Sequence, residues 1–328
     1  MRSSTFRRDP SSLAPQDSLS LARSVHLERV RDYVVIWQVE MAIVSLVGNG
    51  PVGIVLSACL QEKGHDVALF GRAGAIHGTF AVEQLEPRRR RPVTFAEHPG
   101  LGETEIVFIT VKAFAIEAAA SQYFSALKSG TVVVILSNGN PEEEIGASAR
   151  AYEALTFRQG VCLFGAFRQD DGTYCLASES VNCAWGPFGT GTPTPVEQTV
   201  IEPSLRWVDD AAALAREKWL FNVVLNSLSA AFDLPRNGDV LQMRDLVEAC
   251  FTEAYQLGRV LWGAWHEQER DLLQRFLELV AATRDNENSM RRDVRLGRPT
   301  ESAWLAGRAA GREGFTLLQK LHSAVVHR

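Results

Sequence analysis

The sequence predicts an α/β fold: a doubly wound parallel sheet followed by an all-helical second domain. Three observations predict this fold. A glycine-rich turn at residues 48–53 lies between an apolar segment of strand length and a helical segment. Apolar, β-branched segments then alternate with helical ones up to about residue 207, as in sheets whose parallel strands are joined by helices. From residue 209 the apolar spacing is helical almost to the C-terminus.

The glycine turn is the most specific motif. An apolar run at residues 42–47 is followed by Gly48, Gly50 and Gly53 at the spacing G-x-G-x-x-G. In a strand–turn–helix unit these glycines permit the tight turn, the approach of a pyrophosphate, and close packing of the helix, whose N-terminus faces the phosphates. Pro51 lacks an N–H, so we expect one donor fewer than usual. The expected dinucleotide site comprises Gly48, Asn49, Gly50, Pro51, Val52 and Gly53.

The second strand of this unit is followed by Arg72 and has no acidic residue at its end. NAD-selective sites usually carry Asp or Glu there, which holds the ribose 2′-hydroxyl. A guanidinium fits a 2′-phosphate, whereas a carboxylate would repel one. The sequence therefore favours NADP(H) as the cofactor, with an exposed loop arginine that binds no ligand as the alternative.

The composition is that of an ordinary globular protein. The chain has 328 residues, is 46% hydrophobic and 22% charged, and carries a net charge of −5, which argues against nucleic acid as the main partner. We interpret the basic run at residues 88–91 as a solvated loop. No apolar run approaches the length of a membrane span. The five cysteines form no C-x-x-C pair and have no metal-ligand spacing, so we expect buried thiols, no metal and a cytoplasmic location.

Residues 1–40 differ from the rest of the chain. Residues 1–15 are rich in Ser, Arg and Pro, and residues 18–39 are compatible with a helix. No continuous apolar core follows the basic start, which argues against a secretory signal. We expect a poorly ordered extension, with the folded protein beginning near Met41, and a mitochondrial presequence remains the alternative.

Polar residues also follow the next two strands. Lys112 follows the apolar segment at residues 105–110, and Asn138 follows the segment at residues 131–136. In open α/β sheets the ligand lies outside the carboxyl ends of the strands, so these residues should cluster with the glycine turn and Arg72. We expect Lys112 to contact cofactor phosphate or ribose, and Asn138 to lie between cofactor and substrate.

A polar stripe marks the first helix of the second domain. Lys218, Asn222 and Asn226 are spaced i, i+4, i+8 on a helix that is otherwise apolar. Burying such a stripe in a dry core is costly, so we expect it to line a polar cleft, with a solvated helix face as the alternative. A lysine there can protonate and stabilise the alkoxide that forms when a carbonyl is reduced.

Together with a later segment, these motifs resemble the ketopantoate reductase family (2-dehydropantoate 2-reductases). They occur in the family's order from about Ala42 to about Gly307. They are GNGPVG at 48–53, VKAF at 111–114, SNG at 137–139, K-x-x-x-N-x-x-x-N at 218–226, NG at 237–238, and SM-x-x-D followed by GRPTE at 289–301.

The resemblance implies a Rossmann domain at residues 41–208 and a helical substrate domain at residues 209–328 like that of 6-phosphogluconate dehydrogenases. It implies that the protein reduces 2-dehydropantoate to (R)-pantoate with NADPH, a step towards pantothenate and coenzyme A. Lys218 would be the catalytic lysine and Glu301 the acid that engages the substrate hydroxyl. The implied substrate contacts are Asn138, Asn222, Asn226, Asn237 and Ser289, and the implied NADP contacts outside the glycine turn are Arg72, Lys112 and Asn138.

The chain departs from the family pattern in places. The segment around Asn237 is one residue longer than usual, Ala306 replaces an asparagine, and the glycine- and proline-bearing turn expected after Gly311 is missing. These departures leave two alternatives open: a reductase of another branched 2-oxo acid, or a catalytically idle NADP(H)-binding sensor. A small 2-oxo acid is the expected partner, and a homodimer is an alternative to a monomer.

Overall fold

A computed structural model describes residues 3–6, 24–30, 33–39, 41–85, 88–96, 100–140 and 142–328 of the chain. Near the N-terminus, strands β1 (Ser3–Phe6), β2 (Ser24–Val30) and β3 (Tyr33–Val39) pair antiparallel in the order β1-β3-β2. The helix with which residues 18–39 are compatible is not formed at residues 24–30 and 33–39, which are strands. The expectation of a poorly ordered extension falls largely outside the described residues and stays a prediction.

The remaining elements alternate between strands and helices before the chain becomes helical. The strands are β4 (Ile43–Val47), β5 (Asp66–Gly71), β6 (Gly74–Ala75), β7 (Gly78–Gln84), β8 (Arg89–Phe95), β9 (Ile106–Ile109), β10 (Val132–Ile135), β11 (Thr156–Cys162), β12 (Ala166–Arg168), β13 (Tyr174–Leu176), β14 (Cys183–Gly186) and β15 (Leu205–Trp207). The helices are α1 (Pro51–Glu62), α2 (Ile116–Tyr123), α3 (Glu142–Ala151), α4 (Pro195–Val200), α5 (Ala211–Ala231), α6 (Arg244–Trp262), α7 (Glu269–Ala282), α8 (Ser289–Arg295) and α9 (Thr316–Val326).

The main sheet has the strand order β15-β14-β11-β10-β9-β4-β5-β6. Strands β4, β5, β9, β10 and β11 run parallel. Strands β9 and β10 are continuous runs of buried apolar residues, as expected for strands covered on both faces. The chain leaves β4 for β5 on one side and later returns to β9 on the other side. This switch point lies beside the glycine turn, because Val47 at the end of β4 pairs with Ile109 at the end of β9.

A second sheet, in the order β12-β13-β7-β8, packs its β12 and β13 strands against α1. This sheet is not predicted from the sequence. The solvated loop expected at the basic run of residues 88–91 is also wrong, because the run continues into strand β8. Arg91 and Arg89 form ion pairs with Glu62 of α1, at 2.9 and 3.3 Å. The consecutive arginines at the start of β8 hide its strand character, because only Val93 and Phe95 of this strand are buried.

The helical domain is built around α5, which packs against α6, α8 and α9. The fully buried side of α5 includes Trp219, Leu220, Val223, Val224 and Leu228. Strand β15 is followed by α5 with a three-residue connection, at the place where the sequence predicts the domain boundary. In the described part of the chain, no helix is long and apolar enough to cross a membrane.

Candidate active site

The glycine turn after β4 has the geometry that its spacing predicts. Gly48 has a φ of 122°, and a Cβ there would lie 2.7 Å from Thr110 Oγ1. A Cβ on Gly53 would lie 2.0 Å from the Gly48 carbonyl oxygen. A Cβ on Gly50, by contrast, would meet nothing within 4 Å. The protein itself therefore requires the outer two glycines, while the space beside Gly50 is open to a ligand.

The surroundings of this turn suit an anionic ligand. Helix α1 begins at Pro51 with Gly50 as its N-cap, and its first turn carries no acidic residue. Arg72 directly follows β5 and is exposed, while its carbonyl accepts a hydrogen bond from Gln122 Nε2 at 3.1 Å. A free helix N-terminus and a nearby guanidinium both favour phosphate groups. The residues present thus fit a dinucleotide with an additional phosphate.

Lys218 of α5 reaches across to the carboxyl ends of the sheet. Its Nζ donates to Asn138 Oδ1 at 2.9 Å and to the Cys162 carbonyl at the end of β11. Asn138 in turn donates from Nδ2 to Glu301 Oε2 at 3.3 Å. The predicted catalytic lysine and the predicted acid are therefore joined by Asn138, which follows the central strand β10.

Glu301 is buried and connects the two domains. Its Oε1 accepts from the Ala113 N–H at 3.1 Å, and its Oε2 lies 3.2 Å from Lys112 Nζ. Asp293 lies on the other side of this lysine, with Oδ2 2.9 Å from Nζ. Burial acts to lower the pKa of Lys112, but the two carboxylates outweigh it and raise that pKa. The direct ion pair of Glu301 is therefore with Lys112, and its connection to Lys218 passes through Asn138.

Lys218 and Asn222 line a small crevice between the domains. Its opposite wall is the segment after β10. In that segment Gly139 packs closely against Trp304, since a Cβ on Gly139 would lie 2.5 Å from the Trp304 Cβ. Trp219 fixes this side of the crevice by donating from Nε1 to the Trp304 carbonyl at 2.9 Å. The residues around it are Ser137, Asn138, Gly139, Asn140, Gly160, Val161, Ala215, Lys218, Trp219 and Asn222.

Three other predicted substrate residues are placed differently. Asn226 is buried and accepts from Asn288 Nδ2 at 2.7 Å, so its oxygen helps to hold the side chain that caps α8. Asn237 is also buried and donates from Nδ2 to Thr283 Oγ1 at 3.1 Å. Ser289 is exposed at the first position of α8. The expected cleft-lining stripe on α5 thus continues as far as Asn222, while Asn226 belongs to the interior of the helical domain.

Several contributing groups were not among the predicted site residues. Asp293, the Cys162 carbonyl and Thr110 all contact site residues, and Thr110 Oγ1 donates to the Gly48 carbonyl at 3.0 Å. Asp293 carried a signal, because it lies one helical turn after Ser289. The contact to the Cys162 carbonyl could not be predicted from the sequence, because every residue type has a main-chain carbonyl. Among the described residues, no group of His, Cys, Asp and Glu has an arrangement that holds a metal ion.

Comparison with known proteins assigns both domains of this chain to a protein family. The family described as Ketopantoate reductase PanE/ApbA matches residues 44–189, and its C-terminal counterpart matches residues 210–312. The chain belongs to the ketopantoate reductase family. It is therefore an oxidoreductase, and the predicted Rossmann-type domain followed by a helical domain is confirmed.

Individual relatives are distant. The 2-dehydropantoate 2-reductase of Yersinia pestis is 24% identical over 278 residues, which are 80% of this chain and 86% of the relative. The solved 2-dehydropantoate 2-reductase of Geobacter metallireducens GS-15 has a TM-score of 0.71 at 22% identity, over 87% of this chain and 99% of that one. A D-mandelate dehydrogenase solved with NADH and anilino(oxo)acetate has the same TM-score, 0.71, at 14% identity, over 87% and 97% of the two chains. The structural likeness therefore extends to the fold and leaves the substrate open.

Proposed function

We propose that the protein reduces 2-dehydropantoate to (R)-pantoate with NADPH, within pantothenate and coenzyme A biosynthesis. The main support for this proposal is the position of the Lys218 ammonium. It lies in the crevice between the domains, 2.9 Å from Asn138 at the carboxyl end of β10. A cationic donor at this edge of the sheet suits the reduction of a carbonyl, because negative charge develops on the carbonyl oxygen.

The cofactor in this proposal is NADP(H). The glycine turn and the N-terminus of α1 would hold the pyrophosphate, and Arg72 would hold the 2′-phosphate. Lys112 follows β9 and pairs with Asp293 and Glu301 of the helical domain, and it would also contact the bound cofactor. When bound, the nicotinamide supplies the hydride.

The protein's own residues orient the substrate and supply the proton. Lys218 donates a proton to the carbonyl oxygen as it becomes a hydroxyl, and its charge stabilises that oxygen beforehand. Asn138 and Asn222 hold polar groups of the 2-oxo acid without adding charge. Glu301 accepts from the substrate hydroxyl and is held in place by hydrogen bonds from Lys112 Nζ and the Ala113 N–H.

A different branched 2-oxo acid is the second candidate substrate. Asn226 and Asn237, which the family resemblance assigns to the substrate, have partners inside the helical domain. The pocket therefore offers fewer amide groups to the hydroxyl of ketopantoate than the resemblance implies.

The substrate is tested by following NADPH absorbance with a panel of 2-oxo acids. Ketopantoate should give the highest kcat/KM. A higher value for another branched 2-oxo acid would move the assignment to that substrate. Tight NADPH binding without turnover of any member would favour the sensor. The homodimer also stays a prediction, tested by the mass of the protein in solution.

Arg72 is the residue that we expect to select NADPH over NADH. Arg72→Ala should raise the KM for NADPH about tenfold or more, equivalent to roughly 1.4 kcal/mol or more, while leaving the KM for NADH nearly unchanged. The measurement is the ratio of kcat/KM for the two cofactors. Arg206→Ala, at another exposed arginine, is the control. An unchanged ratio in Arg72→Ala would remove this residue from the cofactor site.

Gly50 and Gly53 give a matched pair of substitutions in the cofactor turn. Gly50→Ala should leave the melting temperature unchanged and weaken NADPH binding, because the added methyl group occupies space that is open in the protein. Gly53→Ala should destabilise the fold by roughly 1–3 kcal/mol, because its methyl group meets a main-chain oxygen. Thermal unfolding and NADPH titration separate the two effects. Equal NADPH affinity in Gly50→Ala and the parent protein would contradict the assigned path of the pyrophosphate.

A further inference from the structure

Two buried cysteines face each other beside the active site. Cys162 of β11 lies directly opposite Cys183 of the antiparallel strand β14. The neighbouring pair is hydrogen-bonded, since Leu163 N donates to the Asn182 carbonyl at 2.8 Å, so the cysteine pair is of the non-hydrogen-bonded type. Cα atoms in such pairs are about 4.5 Å apart, within the roughly 4.4–6.8 Å that a disulfide spans. The two thiols therefore lie within reach of each other on one face of the sheet.

The same register connects this pair to Lys218. In a non-hydrogen-bonded pair the main-chain groups of each residue point away from the partner strand. Cys183 N accordingly donates to the Ser204 carbonyl, at 2.8 Å. On the other side, the ladder between β10 and β11 ends at the pair Ile135 and Gln159, short of Cys162. The Cys162 carbonyl therefore extends beyond the sheet and accepts its hydrogen bond from Lys218 Nζ.

The two thiols differ in acidity. The hydrogen bond from the Cys183 thiol lowers the pKa of Cys162, and the Lys218 ammonium acts in the same direction against burial. The pKa of Cys183, the donor in this pair, is raised. Burial likewise raises the pKa of Cys59, to about 11, and the pKa of Cys250. Since the thiolate is the reactive form, Cys162 is the better nucleophile of the pair.

We propose that Cys162 and Cys183 form an oxidation site, at which hydrogen peroxide converts the two thiols into a disulfide that displaces Lys218. The Cys162 thiolate attacks one peroxide oxygen, breaks the O–O bond and becomes a sulfenic acid, and the other oxygen leaves as water after protonation. The Cys183 sulfur then attacks the Cys162 sulfur, forms the S–S bond and releases a second water. The two thiols lose two electrons, and the peroxide is reduced to two waters.

The disulfide changes the active site through the main chain. The strands are already close enough for a disulfide, but the bond draws the two sulfur atoms to about 2.05 Å and fixes the torsion angle about the S–S bond, so its formation shifts the Cys162 side chain and the peptide attached to it. The Cys162 carbonyl, one of the two acceptors of the Lys218 ammonium, then moves out of its hydrogen-bonding position. This consequence rests on the proposed function, because it is observed as slower reduction of the 2-oxo acid. The formation of the disulfide itself is independent of the proposed function.

The test compares the full-length protein after treatment with hydrogen peroxide and after dithiothreitol. The number of free thiols in the denatured protein should fall from all five cysteines to three, and peptide mapping should recover a linked Cys162–Cys183 peptide. Turnover should fall at least about fivefold and return with dithiothreitol. A peptide map without this link would overturn the proposal, whether or not any 2-oxo acid is turned over. A linked pair with unchanged turnover would overturn the coupling to Lys218.

Two variants provide the controls. Cys183→Ala keeps the Cys162 carbonyl and should retain the basal turnover, yield no linked peptide and lose turnover to peroxide more slowly. Cys175→Ala, at another buried cysteine, should remain as sensitive as the parent protein. Equal sensitivity of Cys183→Ala and the parent would contradict the role of the pair. If Cys183→Ala does not fold, the peptide map of the parent protein decides the question.

Discussion

Lys218→Ala is expected to lower kcat with NADPH and ketopantoate by about 10²–10⁴-fold, the usual contribution of a positioned proton donor. The substitution removes the ammonium that contacts Asn138 and the Cys162 carbonyl. The KM for NADPH should change little, because the lysine lies on α5 of the helical domain and not in the glycine turn. Steady-state kinetics with each substrate varied in turn separates the two effects.

The control for this substitution is Lys128→Ala. Lys128 is exposed and donates to the Glu103 carbonyl at 3.1 Å, away from the crevice, so its loss should leave kcat unchanged. Far-UV circular dichroism and thermal unfolding establish whether both variants are folded. A folded Lys218→Ala variant with the parent's kcat would reject the proton-donor role.

Glu301→Ala should have the second largest effect, on both activity and stability. The substitution removes the acceptor of the buried Ala113 N–H, which costs roughly 1–3 kcal/mol, and one of the two carboxylates at Lys112. Loss of the link between Lys112 and Asn138 should also lower kcat/KM by about 100-fold, because the reacting groups are no longer held in place. Unfolding in urea and steady-state kinetics measure the two losses.

Asp293→Asn is the matched comparison for Glu301. It changes the other carboxylate at Lys112 but leaves the contacts of Ala113 and Asn138 intact. Its kcat/KM should therefore fall less than that of Glu301→Ala. If the kcat/KM of the two variants fell equally, the loss of one carboxylate partner of Lys112 would account for both results. Glu301 would then have no separate role towards the substrate.

The parts of the fold that sequence reasoning predicted are those with a strong local pattern. The glycine turn has a fixed spacing, strands β9 and β10 are unbroken apolar runs, and helix α5 has a helical apolar period. Thr110 was missed although it limits the space at both Gly48 and Gly53, because this restriction comes from a neighbouring strand. A single sequence shows which glycines are present and does not show what surrounds them.

The site was predicted less completely, for a related reason. The position of Asn226 on α5 predicts that it shares a helix face with Lys218 and Asn222, and the 3.6-residue period cannot say where the crevice ends along that face. Its partner is Asn288, the cap of α8, which is a tertiary contact. The pairing of Glu301 with Lys112 likewise depends on how the two domains meet.

A crystal structure of the protein with NADP⁺ and (R)-pantoate tests the proton-donor role of Lys218 most directly. We expect the pantoate 2-hydroxyl to lie about 3 Å from Lys218 Nζ, within hydrogen-bond distance, with Asn138 beside it and the 2′-phosphate at Arg72. A complex in which the hydroxyl contacts other groups, while Lys218 keeps only its bonds to Asn138 and the Cys162 carbonyl, would contradict this role.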